Sequence, residues 1–225
     1  GFAPQGNNFA NEIAWLWVFG GSVYDEAAKM PTLAVNPAHI RALDWISSYA
    51  ARYGPTAMTG SKQFMNREAA MLVQSTTWLE LFPEQAPDLR WSVGHIPYPS
   101  DGRKTSYSSG MGAIVPRGAR NTQGAAEFIK YLSKKDTQLK WYHLTRQLPS
   151  REDALQTLLR GREISDPRER LMLELLPTAE GTPPLFSIVR PEFSKNLDRM
   201  RRNEITPQQV LDDTQRSVEP HYRGL

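Results

Sequence analysis

The chain contains no cysteine among its 225 residues. Disulfide bonds, thiol catalysis and cysteine-bound zinc are therefore excluded, although this absence does not identify a compartment. The sequence has no run of 18 apolar residues and its first residues do not form a signal peptide, so it holds no candidate membrane span. We expect a soluble chain, and any export signal is expected to lie outside these residues.

Common catalytic motifs are also missing: His-Glu-x-x-His, Gly-x-Ser-x-Gly, Ser-x-x-Lys and the phosphate-binding Gly-x-x-x-x-Gly-Lys-Ser/Thr. The histidines are scattered, and none has a metal-ligand partner three or four residues away: His39, His95, His143 and His221. We therefore expect no metal site, no cofactor and no catalytic residue. Most carboxylates stand beside a basic residue or a helix end, as on a solvated face, but a glycosidase-type carboxylate pair is left open.

The charge of the chain is only mildly basic. Lys and Arg total 27 against 24 Asp and Glu, which gives a net charge of +3 and a pI near 9.2. This excess is too small to indicate a nucleic-acid partner by itself. The content of 40% hydrophobic and 10% aromatic residues predicts a globular chain with a core or two smaller ones.

Helix boundary signals recur along the chain. An apolar run from Phe9 to Phe19 predicts a helix that ends at the glycine pair Gly20-Gly21. Four further helices are predicted from N-cap signals at Asn36-Pro37, Asn121-Thr122, Asp166-Pro167 and the capping box Thr206-Pro207-Gln208-Gln209. Another helix is expected to begin at Asp136 and to break at Leu148-Pro149-Ser150. The buried face predicted for the last helix is Val210, Leu211, Thr214 and Val218.

Short apolar runs between these helices predict strands. Ala69 to Val73 is expected to be a buried strand or helix end, followed by a polar turn and an element that begins at Trp78. Trp91 to Ile96 and Met111 to Pro116 are expected to be strands, separated by a polar loop at Ser100 to Ser109. Helices interleaved with short strands indicate an α/β fold.

One ordered set of segments resembles the sugar-type extracellular solute-binding proteins (family 1) of ABC importers. Its parts are Phe64, Arg67-Glu68, Ala69-Ala70-Met71, Ser75 to Trp78 and Ile96-Pro97-Tyr98-Pro99. The resemblance implies a periplasmic-binding-protein-like (type II) α/β fold, mostly the second lobe of two. It assigns 1–110 and 151–225 to the second (C-terminal) lobe and 111–150, a crossing strand and helices, to the first lobe, most of which would be missing.

The resemblance also implies a function. The chain is expected to be the substrate-binding component of an ABC importer, capturing a sugar, a related polyol or a glycerol-phosphate-like ligand between two lobes. Its expected partners are a membrane permease and a missing N-terminal part of the same protein, with no nucleic acid. A periplasmic or extracellular location follows, and a lipid anchor outside this chain is compatible with it. A carbohydrate-active enzyme is the alternative function. A nucleic-acid binder is a third hypothesis, suggested only by the basic pI and the many aromatic residues.

Aromatic residues suggest where a sugar would bind. The chain has six Trp and eight Tyr, and several stand beside glycine or small polar residues at predicted element ends: Trp17, Tyr24, Trp78, Tyr98 and Tyr107. Sugar rings lay an apolar C–H face on an aromatic ring while planar polar groups bind their hydroxyls. For any one of these rings a place in the core is the more common role, and Trp78 is the strongest exception because four polar residues precede it.

The resemblance singles out four positions for the ligand. Trp78 stands where the family has a ring or a small polar residue under the ligand, and Gly110 matches a glycine of a loop that enters the cleft. Phe186 and Arg190 match an aromatic and an arginine near the sugar, and the guanidinium fork suits vicinal hydroxyls or a phosphate. Core packing of Phe186, pairing of Arg190 with Glu192 and a plain turn at Gly110 remain open. Arg146-Gln147 departs from the glycine and aromatic that the family often has there.

Overall fold

The computed structural model describes residues 2–3, 9–54, 60–110, 112–161 and 164–223. The chain divides into two compact units. Unit 1 consists of Gly1–Gln74, His95–Ser108 and Thr178–Leu225, and unit 2 consists of Ser75–Gly94 and Ser109–Pro177. These boundaries differ from the predicted lobe ranges, because 75–94 and 151–177 join the unit that contains 112–150. The assignment of either unit to a lobe of a longer protein stays a prediction.

Helices carry most of the regular structure in the described ranges. They are α1 (Phe9–Val18), α2 (Pro37–Tyr53), α3 (Ser61–Met65), α4 (Trp78–Gln85), α5 (Thr122–Leu132), α6 (Lys135–Thr145), α7 (Glu152–Arg160), α8 (Pro167–Leu175), α9 (Phe186–Arg201) and α10 (Pro207–Tyr222). The strands are β1 (Phe2–Ala3), β2 (Tyr24–Asp25), β3 (Met30–Pro31), β4 (Met71–Leu72), β5 (Ser106–Tyr107) and β6 (Ala179–Glu180). They pair in twos: β1 with β4 and β5 with β6 in parallel, β2 with β3 antiparallel.

The predicted cap signals each begin a helix. At α10 the backbone N–H of Gln209 donates to Thr206 Oγ1 (3.2 Å), and the N–H of Thr206 donates to Gln209 Oε1 (2.8 Å), which confirms the capping box. In the other three helices the predicted N-cap side chain accepts a hydrogen bond from a backbone N–H of the first turn: Asn36, Asn121 and Asp166.

The end of α1 also confirms its prediction. Gly20 has a φ of 92°, and its N–H donates to the carbonyl of Trp17 (2.8 Å). The N–H of Gly21 reaches back to the carbonyl of Leu16 (2.9 Å). These two bonds form a Schellman ending, which glycine favours because it carries no Cβ to oppose a positive φ. The chain therefore leaves α1 along a fixed path.

The core of unit 1 lies among α1, α2, α9 and α10. Residues 13–18 of α1 are all apolar and buried, so this part of the helix is covered on every side. The whole predicted face of α10 is buried and is confirmed: Val210, Leu211, Thr214 and Val218. The β5–β6 pair lies in the same unit, beside α1.

Unit 2 has a separate and smaller core. Tyr142, Leu158, Ile164 and Leu173 form it, from α6, α7, the segment before α8 and α8 itself. The predicted helices at Asn121 and Asp136 are present, but their apolar faces are only partly covered. No described residue of α5 is buried, and Leu144 of α6 is 79% exposed.

Three segments differ from the strand predictions. Residues 91–96 and 112–116 have no regular secondary structure, because a strand needs a hydrogen-bonded neighbour and none lies beside them in the described ranges. Met111 lies outside the described residues. The run Ala69 to Val73 contains β4, so a strand is confirmed there, but only Val73 is buried and Met71 is 51% exposed, so the expected burial of the run is wrong. The predicted loop 100–109 contains β5.

Candidate functional site

Three of the predicted ligand residues meet in unit 1 as a row of aromatic rings. The rings of Trp17 and Tyr107 are stacked with centroids 5.9 Å apart and an interplanar angle of 13°. Tyr107 in turn stacks with Phe186 at 6.1 Å and 22°. These residues come from α1, β5 and α9, which are far apart in sequence. We call Trp17, Tyr107 and Phe186 the ring row.

The members of the ring row differ in exposure. Trp17 is only 3% exposed, so both faces of its indole are covered by protein. Tyr107 and Phe186 are half-buried, and each still presents part of its surface to solvent. Trp17 therefore packs against Tyr107 inside the protein, while Tyr107 and Phe186 supply the apolar surface that solvent or a ligand can reach.

Hydrogen bonds fix the Tyr107 ring and the loop that precedes Phe186. The hydroxyl of Tyr107 lies 3.1 Å from Thr182 Oγ1, in the loop before α9. Tyr222 of α10 donates its hydroxyl to the carbonyl of Pro184 (2.6 Å), two residues before Phe186. Burial raises the pKa of Tyr222 to about 12, so this hydroxyl stays protonated and keeps donating at neutral pH. The loop that delivers Phe186 is thus tied at both ends.

Arg190 lies on α9 one helical turn after Phe186 and is exposed. Side chains four residues apart in a helix share a face, so the guanidinium stands on the same side of α9 as the Phe186 ring. An arginine presents five N–H donors in a planar fork. Phe186 and Arg190 therefore share one face of α9, and their predicted role in binding a ligand stays a prediction.

The two remaining predicted residues lie in unit 2. Trp78 is the first residue of α4, half-buried, with its ring centroid 4.7 Å from that of Phe82. Phe82 meets the edge of Trp91 at 5.1 Å, and the guanidinium of Arg168 lies 4.2 Å over the Trp91 ring. Trp78 thus lies at one end of a second aromatic cluster, and the guanidinium of Arg168 lies at the other end.

Gly110 is exposed, in a segment of unit 2 without regular secondary structure. A Cβ built on it would meet no other atom within 4 Å, so the described residues give no steric reason for glycine at this position. A role in approaching a ligand therefore stays a prediction for Gly110.

Other features of the described ranges do not coincide with the predicted ligand residues. An open hollow of about 700 Å³ in unit 2 is lined by charged side chains of both signs, among them Lys135, Arg151, Asp153 and Arg160. No group of three or more His, Asp or Glu residues in the described part of the chain could hold a metal ion. No described helix has the length and apolarity needed to cross a membrane.

Comparison with known proteins places the chain in a family. The model of the bacterial extracellular solute-binding proteins matches residues 1–166. The chain belongs to this family. A comparison with curated protein sequences finds no significant match.

Solved structures of ABC-type binding proteins share the fold of this solute-binding protein. The GacH receptor of Streptomyces glaucescens, solved with acarbose, superposes with a TM-score of 0.77 at 18% identity, over 99% of this chain and 59% of that one. A Thermotoga lettingae solute-binding protein bound to α-D-tagatose gives 0.74 at 18% identity, over 98% and 59%. Maltose-bound MalE3 of Thermotoga maritima gives 0.71 at 16% identity, over 95% and 57%. The chain therefore has the type II binding-protein fold and spans less than two thirds of these neighbours.

The sequence did not reveal several residues that contact the ring row, or the aromatic cluster of unit 2, in this solute-binding protein. Thr182 binds the Tyr107 hydroxyl, and Arg103 contacts both α1 and β6. In unit 2, Arg168 caps the aromatic cluster. No local pattern marks these side chains, because each acts on a partner more than 70 residues away in the sequence.

Proposed function

We propose that this solute-binding protein is the substrate-binding component of an ABC importer and that it captures a sugar or related polyol. The observation that carries the proposal is the ring row, with Arg190 one helical turn from its outer ring. Family membership supports the transport role, since the family consists of binding proteins and not of enzymes.

The chemistry of the ring row suits a carbohydrate. A pyranose ring has an apolar C–H face that stacks on an aromatic ring, and its equatorial hydroxyls project sideways toward polar groups. Tyr107 and Phe186 offer the apolar surface, and the Arg190 guanidinium offers paired donors for vicinal hydroxyls. Trp17 supports the Tyr107 ring without contacting the ligand itself.

The ligands of the structural neighbours agree with a carbohydrate. Their bound molecules are acarbose, α-D-tagatose and maltose, which are all sugars or sugar analogues. A glycerol-phosphate-like ligand is also served by an aromatic surface and an arginine fork, because a phosphate binds the same paired donors. Trp78 and Gly110 are proposed as further ligand residues, to be tested individually.

The setting of the protein follows from the same proposal. A membrane permease would receive the ligand, and the protein would act in the periplasm or outside the cell, where a lipid anchor could hold it at the membrane. No finding supports the glycosidase alternative, which requires two carboxylates across one cleft.

Calorimetric titration against a panel tests this function. The panel contains maltose, α-D-tagatose, acarbose, a linear polyol and glycerol phosphate. The titration uses the longest naturally occurring polypeptide that contains these residues. We expect binding of at least one sugar, and losses of about tenfold or more in affinity for Phe186→Ala and Arg190→Gln, because each removes a direct contact. The matched controls Tyr53→Ala and Arg202→Gln change exposed residues of unit 1 outside the ring row and should bind as the wild type does.

The same panel separates the alternatives. A preference for glycerol phosphate that is lost in Arg190→Gln would assign the phosphate-type ligand. If hydrolysis products of an oligosaccharide appear, the protein is a carbohydrate-active enzyme and the receptor function is refuted. A folded wild-type protein that responds to no member of the panel would refute the proposal.

A further inference from the structure

The side chain of Arg103 joins the elements that carry the ring row. Its Nε donates to the carbonyl of Trp17 (3.1 Å) and its Nη2 donates to the carbonyl of Gly21 (2.9 Å). Nη1 forms an ion pair with Glu180 of β6. The backbone N–H of Arg103 also donates to the carbonyl of Val18 (3.0 Å).

These contacts involve two parts of the protein that lie beside Tyr107: the end of α1, which carries Trp17, and β6, which pairs with β5. Trp17 and Val18 end α1, where the last carbonyls lack partners inside the helix, and the guanidinium is a second donor to the Trp17 carbonyl beside the N–H of Gly20. Glu180 pairs with Tyr107 across the β5–β6 register. One guanidinium therefore binds the carbonyl of the residue that carries the supporting ring and the side chain of the strand partner of Tyr107.

The loop around Arg103 lies tightly against the same helix end. A Cβ on Gly102 would collide with the carbonyl oxygen of Val18 and would lie 2.8 Å from Cδ of Pro99. Glycine at 102 thus allows the loop to approach α1 closely enough for the backbone and side chain of Arg103 to reach their acceptors. The approach and the guanidinium contacts are two separate features that fix the same geometry.

We propose that Arg103 is a positioning residue that sets the distance and angle between Trp17 and Tyr107, and thereby the stacking surface offered to a ligand. Arg103 and Glu180 are about 40% exposed, and solvent screens such an ion pair, so its contribution to global stability is small. The geometric role needs the planar fork, because the Nε and Nη2 hydrogens bond carbonyls while Nη1 bonds the carboxylate. Lysine keeps the charge but cannot make these three contacts from fixed positions.

The consequence for affinity rests on the proposed function, whereas the consequence for ring geometry does not. Two readouts therefore test the proposal. The first is the ¹⁹F NMR spectrum of protein labelled with 5-fluorotryptophan, in which the Trp17 signal is assigned by its loss in Trp17→Phe. The second is the affinity for the sugar that the titration panel identifies.

Arg103→Lys is the decisive variant, and Arg103→Ala, which removes all of the guanidinium contacts, is measured with it. We expect Arg103→Lys to shift or broaden the Trp17 signal and to weaken sugar binding by about tenfold, because the stacking surface loses its fixed position. Glu180→Gln keeps both carbonyl contacts, so its effect should be smaller, at about twofold to threefold. Arg202→Lys, which alters an exposed arginine that pairs with Glu204, should leave both readouts unchanged.

A double-variant cycle distinguishes positioning from loss of stability. In a Tyr107→Ala background no ring remains to be positioned, so Arg103→Lys should change affinity by less than about twofold. An equal loss in both backgrounds would overturn the proposal, as would a wild-type Trp17 signal in Arg103→Lys. If the wild type binds no sugar, the proposed function fails, and the ¹⁹F spectrum alone still decides the role of Arg103. If Arg103→Ala does not fold, the lysine and Glu180→Gln variants carry the test.

Discussion

The imidazole of His39 fills the space that a side chain at Gly21 would need. A Cβ built on residue 21 would collide with Cδ2 and Nε2 of His39 and would lie 2.8 Å from the carbonyl oxygen of Leu16. His39 is fully buried, and its Nδ1 donates to the carbonyl of Leu33 (2.9 Å). The turn after α1 and the first turn of α2 are therefore packed directly against each other.

Gly21→Ala should destabilise the protein through this contact. The backbone carbonyl cannot move without disturbing the end of α1, so the added methyl group forces a shift that we expect to cost about 1–3 kcal/mol. Urea unfolding followed by tryptophan fluorescence measures the loss. Gly181→Ala is the matched control, since a Cβ there meets no atom within 4 Å. Equal unfolding midpoints for the two variants would contradict the steric interpretation.

His39 should also make stability depend on pH. Burial lowers the pKa of His39 below 6.5, because desolvation disfavours the charged imidazolium, and the hydrogen bond to Leu33 offsets only part of this. The unfolded chain therefore binds a proton at a higher pH than the folded chain does. The stabilisation is complete above pH 6.5 and is lost as the pH falls toward the lowered folded pKa, at up to about 1.4 kcal/mol per pH unit.

Unfolding free energies between pH 7.5 and 5 measure this loss. His39→Asn keeps a side-chain donor for the Leu33 carbonyl and removes the ionisable ring, so its stability should vary less over this range. His221→Asn changes an exposed histidine and should retain the wild-type pH dependence. A wild-type dependence in His39→Asn would assign the effect to other groups.

Most of the helices that the sequence predicted correctly have local chemistry at their ends, although α6 has no side-chain cap. Helices α2, α5, α8 and α10 begin where a side chain binds a backbone N–H two or three residues away, and α1 ends where two glycines permit a Schellman turn. The sequence analysis missed α7, whose N-cap Arg151 makes no side-chain cap bond. The spacing of Ala154, Leu155, Leu158 and Leu159 is a helical pattern that could have revealed it.

The errors concern features that depend on distant parts of the chain. Residues 91–96 alternate as a strand would, but pairing is decided by a neighbour that local sequence does not specify. Trp17, Tyr107 and Phe186 were each predicted as ligand residues, from composition and family resemblance, and that role stays a prediction. That Tyr107 lies between Trp17 and Phe186 follows from tertiary packing of α1, β5 and α9, and the supporting role of Trp17 follows from its burial.

Tyr142 should stabilise unit 2 through its hydroxyl. It is fully buried in α6 and donates to the carboxylate of Glu169, which is also buried and has Arg146 at 3.4 Å. Burial, together with the adjacent carboxylate, raises the pKa of Tyr142, so the hydroxyl remains a donor. Tyr142→Phe removes this donor from a buried acceptor and should cost about 1–3 kcal/mol.

Thermal unfolding of Tyr142→Phe against Tyr131→Phe checks this loss. Tyr131 lies on α5 and is half exposed, so water replaces any bond that its hydroxyl loses. The Tyr131 variant should therefore unfold as the wild type does. A Tyr142→Phe protein as stable as the Tyr131 variant would show that the Glu169 carboxylate obtains its solvation elsewhere.

A buried ion pair joins the two helices at the centre of unit 1. Glu12 of α1 is buried; its Oε1 accepts from Arg201 Nη2 at the end of α9 (3.0 Å), and its Oε2 accepts from Ser194 Oγ (3.0 Å). Removing the cation leaves the carboxylate buried with a neutral partner, which should cost about 3–5 kcal/mol in Arg201→Met. Arg202→Met, which breaks an exposed pair with Glu204, should unfold at nearly the same urea concentration as the wild type, because solvent screens such a pair. Urea unfolding compares the two.

The double variant Glu12→Leu with Arg201→Met tests whether the cost arises from the uncompensated charge. Replacing both partners by apolar side chains removes the desolvated carboxylate, so the double variant should be more stable than Arg201→Met alone. If the double variant is instead less stable than the single one, the packing of α1 against α9 depends on the shape of the glutamate, and the charge is not the cause of the loss.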